Sequence, residues 1–240
     1  MTAIALASLA FMFITSGSDG WLSPGVFIAG LIFVSSVTGF IIHEIRADMP
    51  LLPQGIFRIK QFTAATSVGL IINAGFYGQL FIISLYFQQI KHYSTLDTGI
   101  ALLPQAIVMA VTAFCCGRII SHTGPGIPLL SGLSVSLGGL IWLSFTPTDS
   151  TYFRIMIPML LTGPGMSLAA PATVAACMAE APAGQGGITS GIVNTARQSG
   201  SVLGVAMAGS LLAEHHLSLH SMHIALQSTL PLYLLAWAVA

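Results

Sequence analysis

Residues 187–209 read GITSGIVNTARQSGSVLGVAMAG, an apolar, glycine-rich run with a single arginine, Arg197, in its middle. At a helical rise of about 1.5 Å per residue from Gly187, Arg197 lies roughly 15 Å in, near the centre of a ~30 Å hydrocarbon core. A charge there costs about 2.5–3.5 kcal/mol on insertion scales, so it faces a cavity or a partner. Helical spacing places Asn194, Arg197 and Ser201 on one side, with Gln198 at its edge. Gly204 and Ala208 share that side, and with Gly200 they form a small-residue stripe where another helix or a ligand approaches the backbone closely. Two readings follow for Arg197: it lines a substrate pathway, or it snorkels and bonds nearby carbonyls.

Working outward, the chain as a whole belongs in a membrane. It has 240 residues, 55% hydrophobic and only 6% charged, with mean hydropathy +0.88. A soluble domain carries about 25% charged residues. The apolar runs are helix-length rather than the ~10-residue alternating strands of a barrel, so the expected fold class is an all-α membrane protein. The net charge is zero, so nothing here points to a nucleic-acid partner. Cys115, Cys116 and Cys177 all lie in apolar segments and read as small core residues, with neither a disulfide framework nor a metal site.

About eight transmembrane helices are legible, separated by turn-rich or polar loops such as 16–24, 44–61, 121–126 and 146–152. Ser94 and Asp97 have the spacing of a capping box and start the fourth span, which Pro104 interrupts. The eighth span is expected to begin near Leu226, after a polar loop EHHLSLHSMH, and is cut off at Ala240. Alternating spans put Arg46, Arg58, Lys60 and Arg118 on one side and Lys91 and Arg154 on the other, which makes the 44–61 connection cytoplasmic. Glu44 lies in that connection too. The chain starts inside one hydrophobic run and stops inside another, as a fragment of a longer transporter-sized product, or a truncated one, would.

Several motifs in order carry a family resemblance. FIIHEIRADMPLLP at 40–53 is followed by IFRIKQF at 56–62; LYFQQ at 85–89 precedes STLDTGIALLP at 94–104; and GIVNTARQSGSVLGVA occupies 191–206. Together they resemble the major facilitator superfamily, and within it the 14-helix drug:proton antiporter branch (EmrB/QacA type), over roughly residues 20–213. The resemblance implies residues 1–45 as the central transmembrane helix pair, 46–61 as a cytoplasmic connection, and 62–240 as the C-terminal six-helix bundle, incomplete at its end. It implies proton-coupled efflux of small lipophilic or drug-like compounds by alternating access, with substrate between two halves near the midplane. The N-terminal half would then be missing, or supplied by a partner half; the alternative is a truncated, non-transporting relic or a half-transporter. A transporter of this kind is not an enzyme, needs no cofactor beyond the proton gradient, and sits as an integral multi-pass protein in the plasma (inner) membrane. Its expected partners are the lipid bilayer and a small-molecule substrate. The family's cytoplasmic Gly-x-x-x-Asp-Arg-x-Gly loop is matched only in part by GRIISHTG at 117–124, where Ser121 and His122 replace the charged pair.

Other residues are read from spacing alone. In the third span Thr66, Asn73, Tyr77, Ser84 and Gln88 recur at sevens and fours, within roughly 60° of one another. That polar face is either a substrate-facing wall or a helix-packing seam. No acidic residue lies mid-membrane, so this region offers no carboxylate to a cationic drug or a proton. Gly163, Pro164 and Gly165, with Pro171, are expected to kink or open the sixth span, or else to serve close packing. His215, His216, His220 and His223 have ligand-like spacing but no second ligand set, and a plain polar loop is the simpler reading.

Overall fold

The computed structural model describes residues 2–20, 22–46, 55–147, 150–181, 184–214 and 219–240, and among them every regular element is helical. The α-helices are α1 (Thr2–Asp19), α2 (Pro24–Arg46), α3 (Lys60–Leu85), α4 (Thr95–Thr123), α5 (Gly126–Ser144), α6 (Tyr152–Ala179), α7 (Gly186–Glu214) and α8 (Leu219–Val239). A short 3-10 turn, Ile56–Arg58, leads into α3, and a π-helical turn, Tyr86–Ile90, continues it. Six helices are long and apolar enough to cross a bilayer: α2, α3 with its π turn, α4, α5, α6 and α8 from Met222. In hydrocarbon each backbone N–H and C=O must be satisfied within its own segment, and this is why apolar runs of this length become helices. The chain is an integral, multi-pass membrane protein.

The central helix is α3. It packs most extensively on α7 and also touches α6 and α8. The second major pairing is α5 with α6, α4 leans on α6, and α5 meets α8. Both major pairings depend on missing side chains. A Cβ on Gly200 would strike the Leu70 carbonyl, and one on Gly204 the Ala74 carbonyl. In return, a Cβ on Gly78 would come within 3.0 Å of the Gly204 carbonyl oxygen. Gly132, Gly139 and Gly165 bring α5 and α6 together in the same way. With apolar lipid outside, water expulsion does not drive such contacts; backbone approach and dispersion do. The helices α1 and α2 form a hairpin, and α1 lies along α7, with the Ser16 and Ser210 hydroxyls 3.5 Å apart. Of α2 only Val26 and Ala29 are buried, and the rest of its apolar surface is not covered by the other described helices.

Local signals explain the ends. The Ser94 hydroxyl accepts from the Asp97 backbone N–H at 3.1 Å, and the Asp97 carboxylate accepts from the Ser94 N–H, closing the capping box that starts α4. Three expectations need correction. Pro104 does not interrupt the fourth span, because α4 is continuous through it. The loop expected at 16–24 is shortened, since α1 runs to Asp19. The last helix begins at Leu219 rather than near Leu226. There His223 is half-buried, and its Nε2 lies 3.0 Å from the Thr146 carbonyl oxygen, past the end of α5 where no helical N–H reaches. His215, His216 and the side chain of His220 lie outside the described residues, as do positions 47–54 of the connection between α2 and α3. Among the described residues no cluster of metal ligands is present.

Candidate functional site

A hollow of about 570 Å³ opens on one face of the bundle between α3, α4, α6 and α7. Phe76 and Tyr77 of α3 form one wall, their rings edge-to-face at 5.5 Å between centroids. Met109 and Ala113 of α4 face them, Met166, Ser167 and Pro171 of α6 form the back, and Arg197 of α7 supplies the charge. A separate apolar pocket near His223 is about 30 Å³, room for little more than a water. The hollow is the concavity that suits a ligand: largely apolar, with a few convergent polar groups.

Arg197 reaches the hollow because α3 has no side chain at Gly69. The Arg197 stem passes over that glycine, where an added Cβ would lie 3.2 Å from Cγ. The Nε of Arg197 is buried without an acceptor, and among the described residues no Asp or Glu lines the hollow. Two further polar residues fix this helix pair. The Asn73 side chain is almost wholly buried; its Nδ2 donates to the Gly69 carbonyl at 2.7 Å, and its Oδ1 accepts from the Ser201 hydroxyl at 3.5 Å. Ser201 also donates to the Arg197 carbonyl at 3.2 Å. On the opposite wall Pro171 has no N–H, so the Ser167 carbonyl one turn earlier loses its helical partner beside the hollow.

Of the residues singled out by spacing, the structure brings Tyr77 and Arg197 into the hollow, with Asn73 and Ser201 bonded just behind them. Ser84 donates back to the Leu80 carbonyl, and Gln88 sits exposed in the π turn. Asn194 and Gln198 are exposed on α7, away from the hollow, and Asn194 reaches only Ser190 at 3.5 Å. The stripe of α7 that meets α3 is centred on Val193, Gly200 and Gly204, which leaves Asn194 and Gln198 roughly 100° or more round the helix. Ala208 is buried in the cluster around Ile82 and Leu212. Gly163 lies against the Gln105 and Met109 side chains of α4, Gly165 against Ser136 and the Gly132 carbonyl of α5, and Pro164 is half-buried between them. Arg46 and Arg58 are exposed, Glu44 is half-buried, and the Arg118 guanidinium sits 5.9 Å from the Phe114 ring centroid.

Spacing missed a buried polar cluster. Gln79 of α3 and Gln105 of α4 each donate from Nε2 to the Thr162 hydroxyl of α6, at 3.0 and 3.1 Å, and that hydroxyl donates to the Met159 carbonyl. All three side chains are buried, and Gln79 Oε1 has no partner. Gln79 lies roughly 200° from the face of Asn73 and Tyr77, so α3 carries polar groups on two faces. The available signal was the presence of Gln79 and Gln105, each flanked by apolar residues within a membrane-length helix.

Comparison with known proteins agrees with this architecture. The Major Facilitator Superfamily profile matches residues 1–205. This chain belongs to the Major Facilitator Superfamily. It is 32% identical over 180 residues, 75% of its length, to a tetracenomycin C resistance and export protein of Streptomyces glaucescens, covering 34% of that protein. It is 27% identical over 217 residues, 90% of its length, to a methylenomycin A resistance protein of Bacillus subtilis, covering 46% of it. Multidrug resistance protein Stp of Mycobacterium tuberculosis is 26% identical over 210 residues, 88% of this chain and 39% of that one. The chain therefore spans between about a third and a half of the curated relatives it matches. The superfamily is one of transporters, and these relatives are named for drug and antibiotic resistance.

Proposed function

We propose that this chain forms one side of a secondary transporter that exports small, lipophilic, drug-like compounds across the plasma (inner) membrane in exchange for protons, by alternating access. The observation that carries the reading is the hollow itself: a membrane-embedded concavity, open on one face, with Tyr77 and the unpaired Arg197 in its wall. Intramembrane ionisable residues turned toward a cavity mark transport pathways. The names of the relatives support an export role for compounds of antibiotic size. The opposite side of the compartment belongs to a further set of helices, whether joined to this chain or supplied as a partner half. Residues 1–45 act as a peripheral hairpin, and 62–240 as the moving bundle.

The test is energised efflux of a fluorescent dye from an efflux-deficient bacterium expressing the protein from its own gene. Dye retention should fall on expression and recover when a protonophore collapses the gradient. Arg197→Ala and Tyr77→Ala should each raise retention at unchanged membrane abundance. Efflux insensitive to both substitutions would remove the hollow from the pathway, and export unaffected by the protonophore would remove proton coupling.

A further inference from the structure

We infer that the hollow selects ligands carrying an acidic group on a planar aromatic body, a carboxylate or an ionised phenol, in preference to cations. The inference rests on reading the hollow as the substrate compartment, and goes beyond it to the charge of the substrate. Three observations carry it. Arg197 is the sole charged side chain lining the space, and none of the hydrogen bonds among the described residues ends on its guanidinium. A guanidinium is charged at any working pH and presents flat, forked donors that match a carboxylate in two bonds. The rest of the lining is what an aromatic ring requires: the Phe76 and Tyr77 rings on one side, the Met109 and Met166 thioethers on the other.

Geometry favours a ligand over rearrangement as the source of the missing acceptor. The Arg197 stem is seated on Gly69, beside Thr173, between α3 and α6. The adjacent hydroxyls turn their protons elsewhere, Ser201 toward Asn73 Oδ1 and the Arg197 carbonyl and Thr173 to the Ala170 carbonyl, and neither accepts from the guanidinium. A cationic ligand would meet like charge at short range with no carboxylate to offset it. A neutral ligand would leave the guanidinium, with its buried Nε, without a charged acceptor. An anionic one removes the cost of the unpaired charge, and in low dielectric that pairing is stronger than in water.

The experiment compares three probes of one shape on the purified protein in lipid nanodiscs: 2-naphthoic acid, 2-naphthamide and 2-naphthylmethylamine, each followed by its own fluorescence. The acid is expected to bind at least tenfold more tightly than the amide, and the amine more weakly than both. Arg197→Gln should weaken the acid at least tenfold and so bring acid and amide together. Ala170→Trp, which fills the hollow, should weaken both. Equal binding of acid and amide by the unsubstituted protein, with both still weakened by Ala170→Trp, overturns the charge preference and leaves the hollow as the ligand site; a carboxylate from elsewhere pairing with Arg197 would produce that result. Binding of all three probes that ignores Ala170→Trp, or no binding of any, overturns the inference together with the reading of the hollow as a ligand site.

Discussion

Replacing Gly204 with alanine tests the packing on which the hollow depends. The added methyl group would sit 2.6 Å from the Ala74 carbonyl carbon and 2.7 Å from its Cα, where ordinary van der Waals contact begins at 3.4 Å. Those atoms are helical backbone, so no rotamer change relieves the overlap, and α3 and α7 must part by about 1 Å. A gap of 0.5–1 Å forfeits about a quarter to a half of each dispersion contact it opens. Spread along the seam from Leu70 to Gly78, that loss falls in the usual range for overpacking, about 1–3 kcal/mol. It outweighs the gain of about 1 kcal/mol that alanine brings to a helix interior over glycine. The assay is thermal unfolding in detergent, with Gly138→Ala as control, because a Cβ at that exposed helical position meets nothing within 4 Å. Gly204→Ala should melt several degrees below the unsubstituted protein, and Gly138→Ala at or slightly above it. Equal melting temperatures for the two variants would refute the argument that the α3–α7 seam is closed backbone to backbone.

Thr162→Val removes the acceptor shared by Gln79 and Gln105 and strands both amides in the core; at about 0.6 kcal/mol per intramembrane bond on average, and more for stranded donors, unfolding in detergent should be easier by about 1–3 kcal/mol, and Thr162→Ser should restore most of it. Asp97→Ala opens the capping box of α4 and should cost about 1 kcal/mol, seen as faster amide exchange confined to the first turn after Ser94. Of the three cysteines, Cys115 is exposed while Cys116 and Cys177 are fully buried, so brief treatment of the folded protein with N-ethylmaleimide should add one label, located at Cys115 by peptide mass.

The helices were legible because the bilayer imposes a simple rule: an apolar run of sufficient length has no alternative to being a helix. The start of α4 was legible because a capping box is a local event, decided by two side chains three residues apart. Pro104 misled the reading, since a membrane helix tolerates the lost hydrogen bond when its neighbours close around it. The site was half legible. Tyr77, Asn73, Arg197 and Ser201 follow from helical angles on two helices that face each other. The angle of one helix alone could not place Asn194 or Gln198, because the direction of the contact seam is set by where Gly200 and Gly204 let α3 approach. The Thr162 cluster joins residues 57 and 83 positions apart, and no local period connects them.

The close seam between α3 and α7 has a mechanical consequence. Where side chains separate two helices, a change of rotamer lets one roll past the other. Where carbonyl and Cα face each other directly, as at Ala74 and Gly204, there is no such bearing surface. Tyr77 and Arg197 are therefore mounted on a single strut, and their spacing works as a fixed gauge. Any rocking of the bundle would carry Tyr77 and Arg197 together, at constant spacing.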